Sequence, residues 1–283
     1  MGFSVNTNNG AMAALQSLTA TSKSLSTTSS RITTGMNVAS TKDNSAAYTT
    51  AQSLRSDLGG LQSVSSSLSR AKSVTDVAVA GAEQISDIVN QMKAKAYQAS
   101  DTGVDQAARD GINADFTALR DQITTVVNAS SFNGTNLLKA SGGTVSALQS
   151  LNDTGAAAGW QADTLSVANQ GLDLGGSVIT VAASGNISTA AAAATMVDTL
   201  TTTQTNLATS LQTLGSASRN IDAQSAFTSK LSDAIESGIG NLVDADLAKE
   251  SAKLQALQVK QQLGVQALSI ANQAPQTITS LFR

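Results

Sequence analysis

The chain has no cysteine, no histidine and a single proline among 283 residues, and aromatic side chains make up only 3% of it. Each shortage closes off a class of function. Without cysteine there is neither a disulfide nor a thiolate metal site, a composition that suits a secreted protein obliged to unfold and refold. Without histidine, the commonest general base, the Ser-His-Asp arrangement and the commonest metal ligand are all missing. With Pro275 as the one proline, nothing interrupts long helices until almost the end. With so few aromatics, and Trp160 the one tryptophan, the core has to be thin and built from Ala, Leu, Val and Ile, as in long helical bundles.

Further shortages narrow the partners. No segment approaches eighteen consecutive apolar residues, so no membrane partner is expected. The opening Met-Gly-Phe-Ser-Val-Asn lacks the charged n-region and apolar run of a general secretory signal, and Asn6 stands where myristoylation needs Ser or Thr. Export, if it occurs, needs another route. The net charge of −3 is too small to point to nucleic acid. Asp101, Asp105, Asp110, Asp115 and Asp121 fall mostly on one helical face and read as solvated surface, since a hard-cation loop converges its oxygens within one tight turn. No Gly-rich loop carries the Lys and Ser/Thr of a phosphate cradle. The chain is therefore read as no enzyme, with no catalytic, cofactor or metal residues and no cofactor.

What the chain has is Ser and Thr, about a quarter of its residues, and periodicity. Leu247, Leu254, Leu257, Gly264, Leu268, Ala271, Ile278 and Phe282 recur at three- and four-residue steps or their multiples, the seam of a coiled coil. The other end carries a matching seam at Leu15, Leu18, Leu25 and Ile32, with Ser22 and Ser29 between. The two are expected to pair. Residues 18–34 are largely Ser and Thr, poor helix formers with little apolar area, so that segment should be marginal alone and gain order by packing against other copies. The ends also differ in charge from the middle: +2 for residues 1–45, +1 for 242–283, −6 between.

Between the ends, residues 39–44 read as a loop. Leu61, Val64, Leu68, Ala71, Thr75, Ala78, Ala82, Ile85, Val89, Met92, Ala96 and Ala99 then keep one three-four register, a helix on the order of 60 Å long. A loop at 100–103 precedes a third helix on Ile112, Phe116, Leu119, Ile123 and Val126. From 130 to about 185 glycines accumulate, and Leu165/Val167, Leu172/Leu174 and Val178/Thr180 suggest short strands with turns at Gly171 and Gly175-Gly176. A last helix runs on Leu200, Leu207, Leu211, Leu214, Ile221, Ile235, Ile239 and Leu242, weakened locally by Gly215, Gly238 and Gly240. The expected fold is mainly α: a long antiparallel coiled coil or helical bundle with paired terminal helices and a small β-hairpin region.

Several stretches resemble bacterial flagellin, of an alphaproteobacterial type. Arg31-Ile-Thr-Thr-Gly35, with Ser40, Lys42-Asp43 and Ala46 after it, is similar to the family's Arg-Leu-Ser-Ser-Gly stretch and its downstream Lys-Asp. Gly60-Leu61 is similar to the opening of its long second helix, and Phe132-Asn133-Gly134 with Leu137-Leu138 to its Phe-Asn-Gly turn. Asp244, Asp246, Gln261-Gln262 and the close from Ala271 through Asn272 and Pro275 to Arg283 complete the match. It covers roughly the first 140 and last 80 residues. Ala39 departs from the usual Asn, and Asn37 from a usual basic residue.

The resemblance implies a structural subunit that polymerises into the extracellular filament used for swimming, with folding of the termini coupled to assembly. It implies an inner-core domain from residues 1–45 and 242–283, and a tube domain from 46–241 with its hairpin at about 139–185. Large outer domains should be missing. Implied partners are other copies of the chain, the flagellar export apparatus and a secretion chaperone, and cap and junction proteins; export would leave an uncleaved N-terminus. The hook-filament junction protein, whose ends are similar, is the alternative. Residues 141–213, Ser/Thr-rich and without a basic residue, are a candidate for O-linked sugars. Finally, flagellins recognised by an animal innate immune receptor resemble Leu-Gln-Arg-Val-Arg-Glu-Leu-Ala in the second helix. Here that stretch is Val89 to Ala96, with Gln91, Ala94 and Lys95 replacing Arg, Glu and Leu.

Overall fold

A computed structural model describes residues 7–153 and 161–281, with Asp153 and residues 274–281 described in their backbone alone. Trp160, Phe282 and Arg283 lie outside the described residues. The elements are α1 (Asn9–Thr34), α2 (Ser45–Ser100), α3 (Gln106–Ala129), β1 (Val145–Asp153), β2 (Ala162–Val167), α4 (Ala190–Val243) and α5 (Leu247–Leu281). The chain divides into two compact units, residues 57–233, and residues 1–56 together with 234–283. The protein is mainly helical, with one two-stranded sheet among the described residues. No helix there is long and apolar enough to cross a membrane.

The 57–233 unit is organised by the register of α2. All twelve stripe positions from Leu61 to Ala99 are buried. They meet α4, which buries Leu200, Leu207, Leu214 and Ile221 at seven-residue intervals, and α3, which buries Phe116, Ile123 and Val127. The α2 and α4 pairing is antiparallel: Lys72 meets Asp222 at 2.8 Å and Gln204 donates to Asn90 at 2.7 Å. Thr75 sits fully buried in the apolar stripe because its hydroxyl donates to the Ala71 carbonyl one turn back. Arg109 is also buried. Its guanidinium donates to the carbonyls of Ala99, Asp101 and Val104, each at 3.0 Å, and so ties the last turn of α2 to the loop that follows it.

The Phe132-Asn133-Gly134 stretch forms a two-residue turn. Phe132 and Thr135 exchange both backbone hydrogen bonds, while Asn133 and Gly134 adopt φ of +50° and +81°. Positive φ at both central positions defines a type I′ turn, which explains the Asn-Gly pair. Buried Asn136 follows it, donating to the Val127 carbonyl at 2.6 Å and accepting from Leu138 and Lys139. These bonds seat Leu137 and Leu138 in the core.

The strands differ from expectation. β2 contains Leu165 and Val167, but its antiparallel partner is β1, with Val145 opposite Val167 and Leu148 opposite Thr164. Residues 172–174 and 178–180 are not strands. Leu172 is buried, but in the second pair the core takes the other phase: Ile179 and Val181 are buried, while Val178 and Thr180 are only half-buried. The backbone groups of both stretches find other partners: Leu172 donates to Leu138, Thr180 to the Thr203 hydroxyl, and Gly175 to Val181. Gly175, at φ +73°, sits in the turn that the Gly176 amide closes on the Asp173 carbonyl, whereas Gly171, at φ +54°, lies outside any turn. β1 was hidden because Val145, Ala147, Leu148 and Leu151 break strict alternation. Its outer edge is tied down by Ser67, which accepts from Leu148, and by Gln224, which donates to the Gln149 carbonyl.

Candidate assembly surface

In the other unit, α1 and α5 pair antiparallel along a heptad seam. Asn8 caps α1, its side chain accepting from Ala11, and its amide donates to the Ala271 carbonyl at 2.7 Å. Leu18 packs over Gly264, where an added Cβ would come within 3.2 Å of its Cδ1. Arg31 meets Glu250 at 3.3 Å. The least exposed positions are Ala11, Ala14, Leu18, Thr21, Leu25, Thr28, Arg31 and Ile32 on α1, and Glu250, Leu254, Leu257, Gln261, Gly264, Leu268 and Ala271 on α5.

Leu18, Leu25, Ile32, Leu254, Leu257 and Leu268 thus face the pair. Leu15 and Leu247 do not: they are 53% and 49% exposed, and Ser22 and Ser29 are exposed as well. The seam on α1 runs one residue earlier at alternate steps, through Ala14, Thr21 and Thr28. Small side chains there admit the partner helix closely, and that outweighs the larger apolar area Leu15 would bury. Asn272 is exposed, α5 continues through Pro275 and Ile278, and nothing is described of those two side chains.

The pair is anchored at one end by a backbone strap. Gly35, at φ +72°, caps α1 by donating to the Arg31 carbonyl. The amides of Asn37 and Val38 then donate to the Val243 carbonyl at 2.7 and 3.2 Å, and Ala245 donates to the Gly35 carbonyl at 2.9 Å. Val38, Ala51, Ile239 and Val243 form a small core beneath it. Asp43 holds the following turn, accepting from the amides of Ala39 and Ser40 and from the Ser40 hydroxyl. Those Ser40 bonds hold its carboxyl below the usual carboxylate value. Arg31, Gly35 and Asp43 therefore serve as ion-pair partner, helix cap and turn clamp.

Glu250 is the charge that periodicity reasoning missed, although an acid on the seam of α5 opposite Arg31 is visible once the two seams are aligned antiparallel. Burial works against its charge, but the nearby Thr28 hydroxyl, Lys253 and Arg31 outweigh that and hold the carboxyl below its ordinary value. A lowered folded value means that Glu250 supports pairing above its unfolded value of about 4.3 and loses that support as pH falls through the folded one. Helicity of the terminal pair is expected to drop on acidification below about pH 4. Glu250→Gln should remove part of that dependence and leave the part due to Asp43, which shifts the same way. Circular dichroism against pH, parent beside variant, checks it.

On α2, Gln91 and Ala94 are exposed, and Lys95 is half-buried, its ammonium 2.6 Å from Asp115. Lys95 is thus a paired, partly solvent-exposed cation on the flank of the core.

Along the sequence, residues 5–142 match the bacterial flagellin N-terminal helical region, and residues 194–282 the bacterial flagellin C-terminal helical region. The chain is a bacterial flagellin. It is 44% identical to Flagellin FljM of Caulobacter vibrioides over 281 residues, which span 99% of this chain and 98% of that one. It is 36% identical to a flagellin of Brucella melitensis, with 99% of each covered. A flagellin is the filament subunit of the bacterial flagellum, a structural and non-enzymatic protein of the extracellular filament. This flagellin matches these relatives end to end without a large central insertion.

Proposed function

We propose that this flagellin joins its filament by folding coupled to assembly, with the α1 and α5 pair completing its burial only against neighbouring copies. One observation carries this: both helices expose large apolar side chains away from their shared seam. Met12 and Leu15 on α1, and Leu247, Val259, Leu263, Val265 and Ile270 on α5, are between 49% and 69% exposed. Thr28 is the one buried residue of α1. A pair that buries so little internally is marginal alone, and burying those faces against other copies supplies the missing free energy. Such contacts join different surfaces of successive copies and propagate as a helix rather than closing.

In the dispersed subunit, amide exchange is expected to be fast at residues 7–35 and 250–281 and slow around Leu61 to Met92, and the filament should slow the first two sets. Uniform protection in the subunit would mean the termini fold alone.

The same reading carries the partners of a secreted filament subunit: the export apparatus and a secretion chaperone before assembly, cap and junction proteins during it. It also leaves residues 141–213 as a place for O-linked sugars. There Thr195, Thr201, Thr202, Thr205, Thr209 and Thr213 are exposed on α4. Filament-derived protein is expected to exceed the 28.6 kDa of the unmodified chain in intact mass. Equality would remove the modification.

A further inference from the structure

We propose that the terminal helices are joined by a latch, Thr28, Arg31 and Glu250, which closes first beside the strap and from which pairing spreads toward the chain ends. Position is the first ground. Arg31 lies in the last turn of α1 and Glu250 in the first turn of α5, directly after the backbone bonds that hold residues 35–38 to 243–245. With the strap in place the latch closes almost no additional loop. A first contact at the far end, Asn8 to Ala271, would have to close a far longer one.

Burial is the second ground. Thr28 is 1% exposed and Glu250 8%, whereas outward from Leu257 every seam position is only half-buried, and apart from Leu18, Gln261 and Leu268 they are small: Thr21, Gly264, Ala14, Ala11 and Ala271. Contacts that bury little follow the helices' alignment; they do not create it. Polar chemistry is the third. Arg31 Nη1 reaches Glu250 Oε1, but Thr28 Oγ1, Arg31 Nε and Glu250 Oε2 are buried and make no hydrogen bond of proper geometry among the described residues. A buried polar joint in which three atoms, the Thr28 hydroxyl beside Glu250 included, lack well-aligned partners selects its mate by charge yet stays cheap to open. That combination suits a pair that must come apart for export and re-form on assembly. Lys253, 3.7 Å from Glu250, adds a second cation from α5 itself.

The test uses the absence of cysteine. Leu18→Cys with Gly264→Cys places one thiol pair well outward of the latch, where Leu18 and Gly264 already touch. Oxidation traps even transient pairing, so the rate of disulfide formation in the dispersed full-length chain reports how often the far seam closes. Adding Glu250→Lys is expected to slow that rate roughly tenfold by setting two cations against each other. Exchanging the charges, Arg31→Glu with Glu250→Arg, should restore it. Asn8→Ala, which frees the chain end, should change it less than about twofold. The strap amides of Asn37, Val38 and Ala245 should keep their exchange protection throughout.

A parental rate in the Glu250→Lys chain, an equal loss in Asn8→Ala, no restoration by the exchanged pair, or loss of strap protection in Glu250→Lys would each overturn the latch. The inference rests on the reading that this pair is the assembling element, but the disulfide rate is read on dispersed subunits and filament mass by sedimentation. Failure of one is therefore distinguishable from failure of the other.

Discussion

A chain ending at residue 241 is expected to sediment no filaments at all while its 57–233 unit stays folded. The deletion removes all of α5, and with it the partner of α1 and most of the exposed apolar side chains of that pair. It also takes Val243, whose carbonyl receives the strap amides of Asn37 and Val38 and whose side chain belongs to the small core with Val38, Ala51 and Ile239. The larger core is untouched, because its buried members run from Val64 to Ile221. The melting transition of that unit should move by no more than about 4 °C, the shift that about 1 kcal/mol produces in a domain of this size. Sedimentation after seeding, alongside a thermal melt followed by circular dichroism, gives both readouts. Filaments in the pellet would show that the C-terminal seam is dispensable.

The unaltered protein is also expected to be a poor ligand for the innate immune receptor that recognises many flagellins. At the three positions that differ from the recognised pattern, the structure puts Gln91 and Ala94 on open surface, where a receptor would meet them. Gln91 offers no guanidinium fork, and Ala94 offers no carboxylate. Lys95 is held by Asp115 on the adjacent helix, so its charge is already engaged and no apolar side chain fills that flank. Losing a central Arg anchor alone costs at least about 2 kcal/mol, roughly thirtyfold in affinity. A receptor reporter assay on purified subunit, beside the combined change Gln91→Arg, Ala94→Glu and Lys95→Leu, decides it. Strong signalling by the unaltered chain would refute the expectation. No gain in the triple variant would show that other contacts govern recognition.

How much could be read without coordinates depended on how many equivalent positions voted together. In α2 twelve stripe positions shared one register, and every one is buried, because each turn of so long a helix repeats the same choice of face. The terminal seam was harder. Leu18, Leu25 and Ile32 fit two interleaved heptads, one through Leu15 and Ser22 and one through Ala14 and Thr21. Hydrophobicity favours the first, but Ala14, Thr21 and Thr28 are less exposed than Leu15, Ser22 and Ser29, so the second faces α5. Arg109 and Asn136 gave no signal, since a buried arginine that bonds carbonyls and an asparagine that ends a turn look like surface residues until the chain folds over them.

The sequence by itself determined that this protein is helical at both ends, thin in its core, without the usual machinery of catalysis, and marked by the terminal motifs of its family. Those properties are local or compositional: periodicity, capping residues, and side chains that are present or missing. Only the tertiary structure decided which heptad faces the partner, that β1 rather than residues 172–174 completes the hairpin, and that Glu250 answers Arg31 from 219 residues away. Each of those is a competition between nearly equal local patterns. What settles it is how closely two backbones can approach and where each buried polar group finds its partner, and both belong to the folded chain alone.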